Sequence, residues 1–101
     1  MVSVIFSPKS RQDLIEIGDY IAKDSPANAQ TFVKRLISQC EKIALAPLGY
    51  SARDDLAPGN LAPSIRMAAL GRYVIFFRHM DNTVRIERVL HGARNIPKLF
   101  K

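Results

Sequence analysis

The chain has 101 residues, 48% of them hydrophobic and 24% charged, which describes one folded domain and excludes both a disordered chain and a second hydrophobic core. A chain of this length buries roughly two-thirds of its unfolded surface, enough for one sheet and one layer of helices but too little for a deep, enclosed cofactor pocket. The net charge is +6 and unevenly placed: residues 1–60 carry seven Lys or Arg against seven Asp or Glu, and residues 61–101 carry eight against two. Such a basic C-terminal block points to an anionic partner, either nucleic acid or an acidic protein surface.

Val2 to Phe6 is a β-branched and aromatic run that stops at Ser7-Pro8. It reads as a strand followed at once by a helix, with Ser7 as the cap and Pro8 at the first helical position, where its missing N–H costs nothing. The helix places Leu14, Ile17 and Ile21 on one face with Ile15 at its margin, while Arg11, Asp13, Glu16, Asp19 and Lys23 are assigned to the polar side. Ser25-Pro26 repeats the start signal directly after Lys23-Asp24. Ala29, Phe32, Val33, Leu36, Ile37, Cys40, Ile43 and Ala44 then keep the rhythm of a second amphipathic helix until Pro47 ends it. So short a link gives an antiparallel helical hairpin whose apolar seam must lie on another layer.

Leu48 to Pro63 contains Gly49, Pro58, Gly59, Asn60 and Pro63 and is expected to be a loop. Ser64–Leu70, Arg72–His79 and Thr83–Leu90 read as three strands joined by hairpins at Gly71 and at Asp81-Asn82. The middle one is apolar on both faces, with Tyr73, Ile75 and Phe77 on one and Val74 and Phe76 on the other, so it is placed centrally. The expected fold is α+β, in the order β-α-α-β-β-β, with the helical hairpin on one face of a small, mainly antiparallel sheet and the other face partly open. No repeat or long linker divides the chain, which reads as a single domain over residues 1–101.

Several classes of chemistry are excluded by inventory. One cysteine, Cys40, makes neither an internal disulfide nor a thiolate metal site, and its helical neighbours are apolar, so it reads as a small buried hydrophobe. Two histidines on separate elements supply no metal-ligand spacing, and no glycine-rich phosphate loop occurs, so neither metal nor cofactor is expected. The opening residues lack the charged and apolar regions of a signal peptide, and the longest large apolar run, Tyr73 to Phe77, is far too short to cross a membrane. A cytoplasmic location is expected.

Three constellations remain. Arg66, Arg72, Arg78, Arg85, Arg88 and Arg94 bring six guanidinium groups to the sheet and its edge, where they could meet phosphates, with Tyr73 or His91 stacking a base, or simply stay solvated. His91, at the end of the last strand beside Gly92 and Arg94, is a candidate acid or base for RNA cleavage; Glu87, the nearest carboxylate on its strand, shares its face by parity but lies roughly 13 Å away at strand rise. Tyr20, Phe32, Leu48, Tyr50 and Leu56 could form an apolar patch for a partner helix, unless the loop folds over them.

The order of elements, the segment Leu70-Gly71-Arg72-Tyr73-Val74-Ile75-Phe76-Phe77-Arg78 and above all Arg88-Val89-Leu90-His91-Gly92-Ala93-Arg94-Asn95-Ile96 resemble the ParE branch of the RelE/ParE toxin superfamily. Phe6-Ser7-Pro8, Asp13-Leu14, Ile17 and Tyr20-Ile21-Ala22 fit the same branch, whereas Asn95 stands where an acidic residue is expected. The resemblance implies a toxin of a type II toxin–antitoxin pair, neutralised by a ParD-like antitoxin and poisoning DNA gyrase by binding rather than as an enzyme. It leaves a RelE-type, ribosome-dependent mRNA endonuclease as the alternative, with His91 and Arg94 catalytic only in that case. Arg66, Arg72, Tyr73, Arg78, Arg88, His91, Arg94, Tyr20, Phe32 and Tyr50 are the candidate antitoxin- or target-binding residues. An acidic antitoxin segment is the first partner and nucleic acid the second.

Overall fold

The computed structural model describes residues 2–53 and 64–92. Its elements are β1 (Ser3–Phe6), α1 (Pro8–Ala22), α2 (Pro26–Leu45), a 3-10 turn (Pro47–Gly49), β2 (Arg66–Leu70), β3 (Tyr73–Met80) and β4 (Thr83–His91). This is the predicted order, in an α+β fold. Both helices begin as their sequences dictate: Ser7 Oγ accepts the Ser10 N–H at 3.0 Å, and Ser25 Oγ accepts the Asn28 N–H at 3.2 Å. The predicted loop opens with the 3-10 turn and a single bridge from Ala52 to Arg66; Leu56 lies outside the described residues.

The sheet order is β1-β4-β3-β2, with β1 parallel to β4 and the other two pairs antiparallel. The tight turns between the antiparallel strands rely on left-handed backbone at Gly71 (φ +58°) and Asp81 (φ 53°). The helices cover one face, where Leu36, Cys40 and Ile43 pack with Ile17 against Ile75, Phe77, Val84, Ile86 and Val89. Alternation along β3 sends Phe76 to the opposite face, and there it forms a second buried cluster with Ile65 and Leu90. Burying a phenylalanine of this kind stabilises the fold by about 1.5–3 kcal/mol, so β3 contributes on both sides, as its pattern predicted.

Two features depart from the simple periodic reading. Phe76 faces Arg88 and Phe77 faces Ile86, so β4 carries one extra residue, Glu87, as a bulge. The bulge shifts the alternation: Val84 and Ile86 face the helices before it and Val89 after it. His91 therefore sits opposite Tyr73 on the helical side, and the predicted face-sharing of Glu87 and His91 does not occur. The second departure is Asp13. The sequence pattern puts it on the polar side of α1, yet its residue exposure is 5%, because it sits one turn before Ile17 and reaches the edge of β4.

Ser7 has two duties. Besides capping α1, its hydroxyl donates to the Glu87 carbonyl at 2.8 Å, tying the start of the helix to the bulge. Ser25 caps only its own helix. In urea unfolding, Ser7→Ala should therefore lower stability by about 2 kcal/mol and Ser25→Ala by about 1 kcal/mol; equal losses would deny the second duty. Burial, with the nearby Glu41 charge as the lesser cause, pushes the Cys40 thiol from 9.0 up to about 12. The folded chain thus holds a proton that the unfolded chain releases above about pH 9, and stability should fall as pH rises from 9 towards 12, by at most about 1.4 kcal/mol per unit from this group. At pH 8, thiol alkylation should proceed at the rate of global opening, and rapid labelling of the native protein would contradict this.

Candidate functional site

The site begins where β1 runs out. β1 pairs with β4 only from Ser3 against Thr83 to Phe6 against Ile86, so among the described residues the upper half of β4 has no partner strand on that edge. Side chains complete the edge: Ser7 takes the Glu87 carbonyl, and Asp13 Oδ2 accepts the Val89 N–H at 3.0 Å. Asp13 also receives a two-pronged ion pair from Arg88, with Nε to Oδ2 at 2.8 Å and Nη2 to Oδ1 at 2.9 Å. The hydrogen bonds to Asp13 hold the Arg88 guanidinium above its ordinary pKa despite its burial, with smaller help from the Asp13 and Glu16 charges. Arg88 is thereby committed to holding α1 on β4.

The other predicted arginines do not form one basic surface. Arg66 shares the face of its partner Phe77 and donates from Nη1 to the Tyr50 carbonyl at 2.7 Å. Arg78 and Arg85 lie on the face away from the helices and converge on Glu87, with Arg78 Nε 3.8 Å from one carboxylate oxygen and Arg85 Nε hydrogen-bonded to the other. Arg72 is exposed in the β2–β3 turn, where its carbonyl accepts the Gly92 N–H at 2.9 Å. Arg94 lies outside the described residues.

The aromatic candidates do converge. At the end of the sheet where β3 begins and β4 finishes, the Tyr73 ring meets His91 edge-on at 5.3 Å and Phe32 of α2 at 5.4 Å, while Arg35 lies over Phe32 at 5.8 Å. Tyr20 of α1 is 68% exposed beside them. Tyr20, Tyr73 and His91, with Asp13, Glu16, Ile17, Val89 and Leu90, line a slot of about 140 Å³. Tyr50 lies elsewhere, half-buried with its ring edge-on to Phe77 at 5.7 Å, so it closes the core.

A wider groove of about 770 Å³ runs between β1 and α2, lined by Val2, Val4, Phe6, Ile37, Leu45 and their neighbours. Leu45 is 85% exposed. The Ser3 and Ser7 N–H groups point to β4, so those of Val4 and Phe6 point outward along the open edge. The far edge of the sheet is treated differently: Arg53 N–H bonds the Ile65 carbonyl and Met67 N–H bonds the Ser51 carbonyl, covering the start of β2. Residues 2–6 carry no charge and no proline to discourage pairing.

Comparison with known proteins gives this arrangement a context. Residues 4–96 match the family model described as ParE toxin of type II toxin-antitoxin system, parDE. The chain belongs to the ParE toxin family. It is 32% identical over 94 residues to Toxin RelE2 of Caulobacter vibrioides, covering 93% of this chain and 99% of that one. The fold of this ParE-family chain also resembles a solved structure described as the chromosomal ParDE TA system from P. aeruginosa, with a TM-score of 0.72 at 22% identity, covering 90% of this chain and 96% of the other. Among the described residues no group of three or more His, Cys, Asp or Glu could hold a metal ion, and no helix is long and apolar enough to cross a membrane.

Sequence reading of this ParE-family chain missed Asp13 and the bulge. Asp13 did leave a signal, since it stands four residues before the core residue Ile17 and three after the buried Ser10, on the stripe assigned to the core. A carboxylate there needs a cation from the sheet. Removing one partner leaves a buried charge, so Asp13→Ala or Arg88→Ala should each cost about 3–5 kcal/mol in urea unfolding. Asp13→Leu combined with Arg88→Met should recover part of that loss, but not all, because the Val89 N–H stays unpaired. Single losses below about 1 kcal/mol would show that the pair does not anchor α1.

Proposed function

We propose that this toxin arrests growth in the cytoplasm by binding DNA gyrase and that a ParD-like antitoxin neutralises it. The family membership carries the reading, and the site geometry supports binding over nuclease chemistry. Glu87 and His91 are on opposite faces, and among the described residues no arginine lines the slot beside His91, whose volume is too small for a nucleotide. Arg78, Arg85 and Arg88, which could otherwise hold phosphates, are engaged with Glu87 or Asp13.

Among the described residues no strand pairs with the outer edge of β1, and that edge with the groove beside it suits an extended antitoxin segment with apolar side chains at alternate positions. Acidic residues elsewhere in that segment would complement a chain of net charge +6. Leu45→Glu changes an exposed residue at the groove, leaves the core untouched, and should weaken antitoxin binding by about tenfold in a calorimetric titration. Unchanged affinity would place the antitoxin elsewhere.

For the target, purified toxin should inhibit gyrase supercoiling or trap cleaved DNA, and added antitoxin should restore activity. Absence of any effect at molar excess removes gyrase as the target. Discrete cuts in translating mRNA that vanish with His91→Ala would instead support the endonuclease reading.

A further inference from the structure

The slot at the end of the sheet is not explained by the fold. It is preformed: Asp13 is fixed by Arg88 and the Val89 N–H, and Tyr73 is held between Phe32 and His91. Its walls combine aromatic rings with carboxylates. Asp13 is already satisfied, whereas Glu16 on the rim accepts the Gln12 amide at 3.4 Å and acts on Arg88 through its charge alone. Of the charged side chains among its described lining residues, Asp13 is matched by Arg88 and Glu16 is left to face the opening. At about 140 Å³ the slot admits one side chain and little more.

A planar cation fits these walls best. Guanidinium groups favour aromatic faces and bind carboxylates with directional N–H bonds, and a neutral amide of the same shape gains neither the charge nor the full set of donors. The chain already uses the contact once at the same end of the molecule, where Arg35 lies over Phe32. A second hollow is lined by Ile21, Asn28, Thr31, Phe32 and Arg35, and its Phe32 ring meets the Tyr73 ring that lines the slot. Free arginine is a poorer match, because the slot leaves no room to enclose its amino and carboxylate groups. The chain's +6 charge further requires that the residues flanking the incoming cation be acidic or neutral.

We propose that this slot is an anchor pocket for a single arginine side chain presented by a partner protein, within a segment that is otherwise acidic or neutral. Glu16 binds the guanidinium, and Tyr20 and Tyr73 enclose it. The inference rests on the slot alone and does not depend on gyrase being the target.

The test uses the full chain, labelled with 15N, and three probes: N-acetyl-arginine methylamide, its citrulline counterpart and its phenylalanine counterpart. The arginine probe should cause saturable NMR shifts confined to the signals of Tyr20, Tyr73, His91 and their neighbours, at concentrations up to roughly tens of millimolar. The citrulline probe should bind about three- to fivefold more weakly. Glu16→Gln should abolish that preference, while Asp24→Asn, an equal change of charge at an exposed site outside the slot, should leave it intact. Both variants should keep the native spectrum elsewhere. Equal binding of arginine and citrulline, preference for phenylalanine, shifts located elsewhere, no shift with any probe, or a preference that survives Glu16→Gln would each overturn the proposal.

Discussion

β1 and β4 are neighbours in the sheet, and β1 is too short for the job. Four residues of β1 cover about half of β4, and the rest of that edge would expose backbone groups beside the core. Asp13 solves the problem by taking one edge N–H and one guanidinium together. It substitutes for a missing stretch of strand, and in doing so it fixes the angle at which α1 crosses the sheet. The positions of Glu16 and Tyr20, one and two turns further along α1, follow from that attachment.

The bulge at Glu87 divides the work of the sheet between its faces. Below it, Arg78 and Arg85 gather around Glu87 on the side away from the helices; above it, His91 turns towards them and joins Tyr73. An unbulged β4 would have carried Glu87 and His91 on one face. One inserted residue therefore decides whether a histidine–carboxylate pair or an aromatic slot stands at this end of the molecule. Three of the six predicted arginines are in any case held by carboxylates of the same chain, so they are fixed in place rather than spread as a mobile basic face.

Much of the fold was legible in the sequence because it rests on local signals. The paired Ser-Pro starts, the unbroken apolar stripe of α2 and the two-faced β3 each specify their element without reference to the rest. What stayed hidden was non-local. Whether Asp13 faces water depends on Arg88, 75 positions away, and nothing near either residue announces the partner. The bulge leaves only a break in rhythm, since Val84 and Ile86 alternate with polar residues and the pair Glu87-Arg88 then puts Val89 out of phase, and the pairing with β3 decides which residue is extra. The aromatic candidates Tyr20, Phe32, Tyr73 and His91 were legible as types, and their meeting at one end is a product of topology.

The pairing of β1 with β4 also has a consequence in time. Ser3 meets Thr83, Ser7 meets Glu87 and Asp13 meets Arg88, so the contacts that close the sheet join residues made well apart in time. At roughly 5–20 residues per second, β1 waits about 4–16 seconds for β4, and during that interval the sheet cannot be completed. A nascent or truncated chain displays the helical hairpin without the β4 edge that gives it a fixed position. Any harmful surface assembled from both β1 and β4 is withheld until β4 has been made.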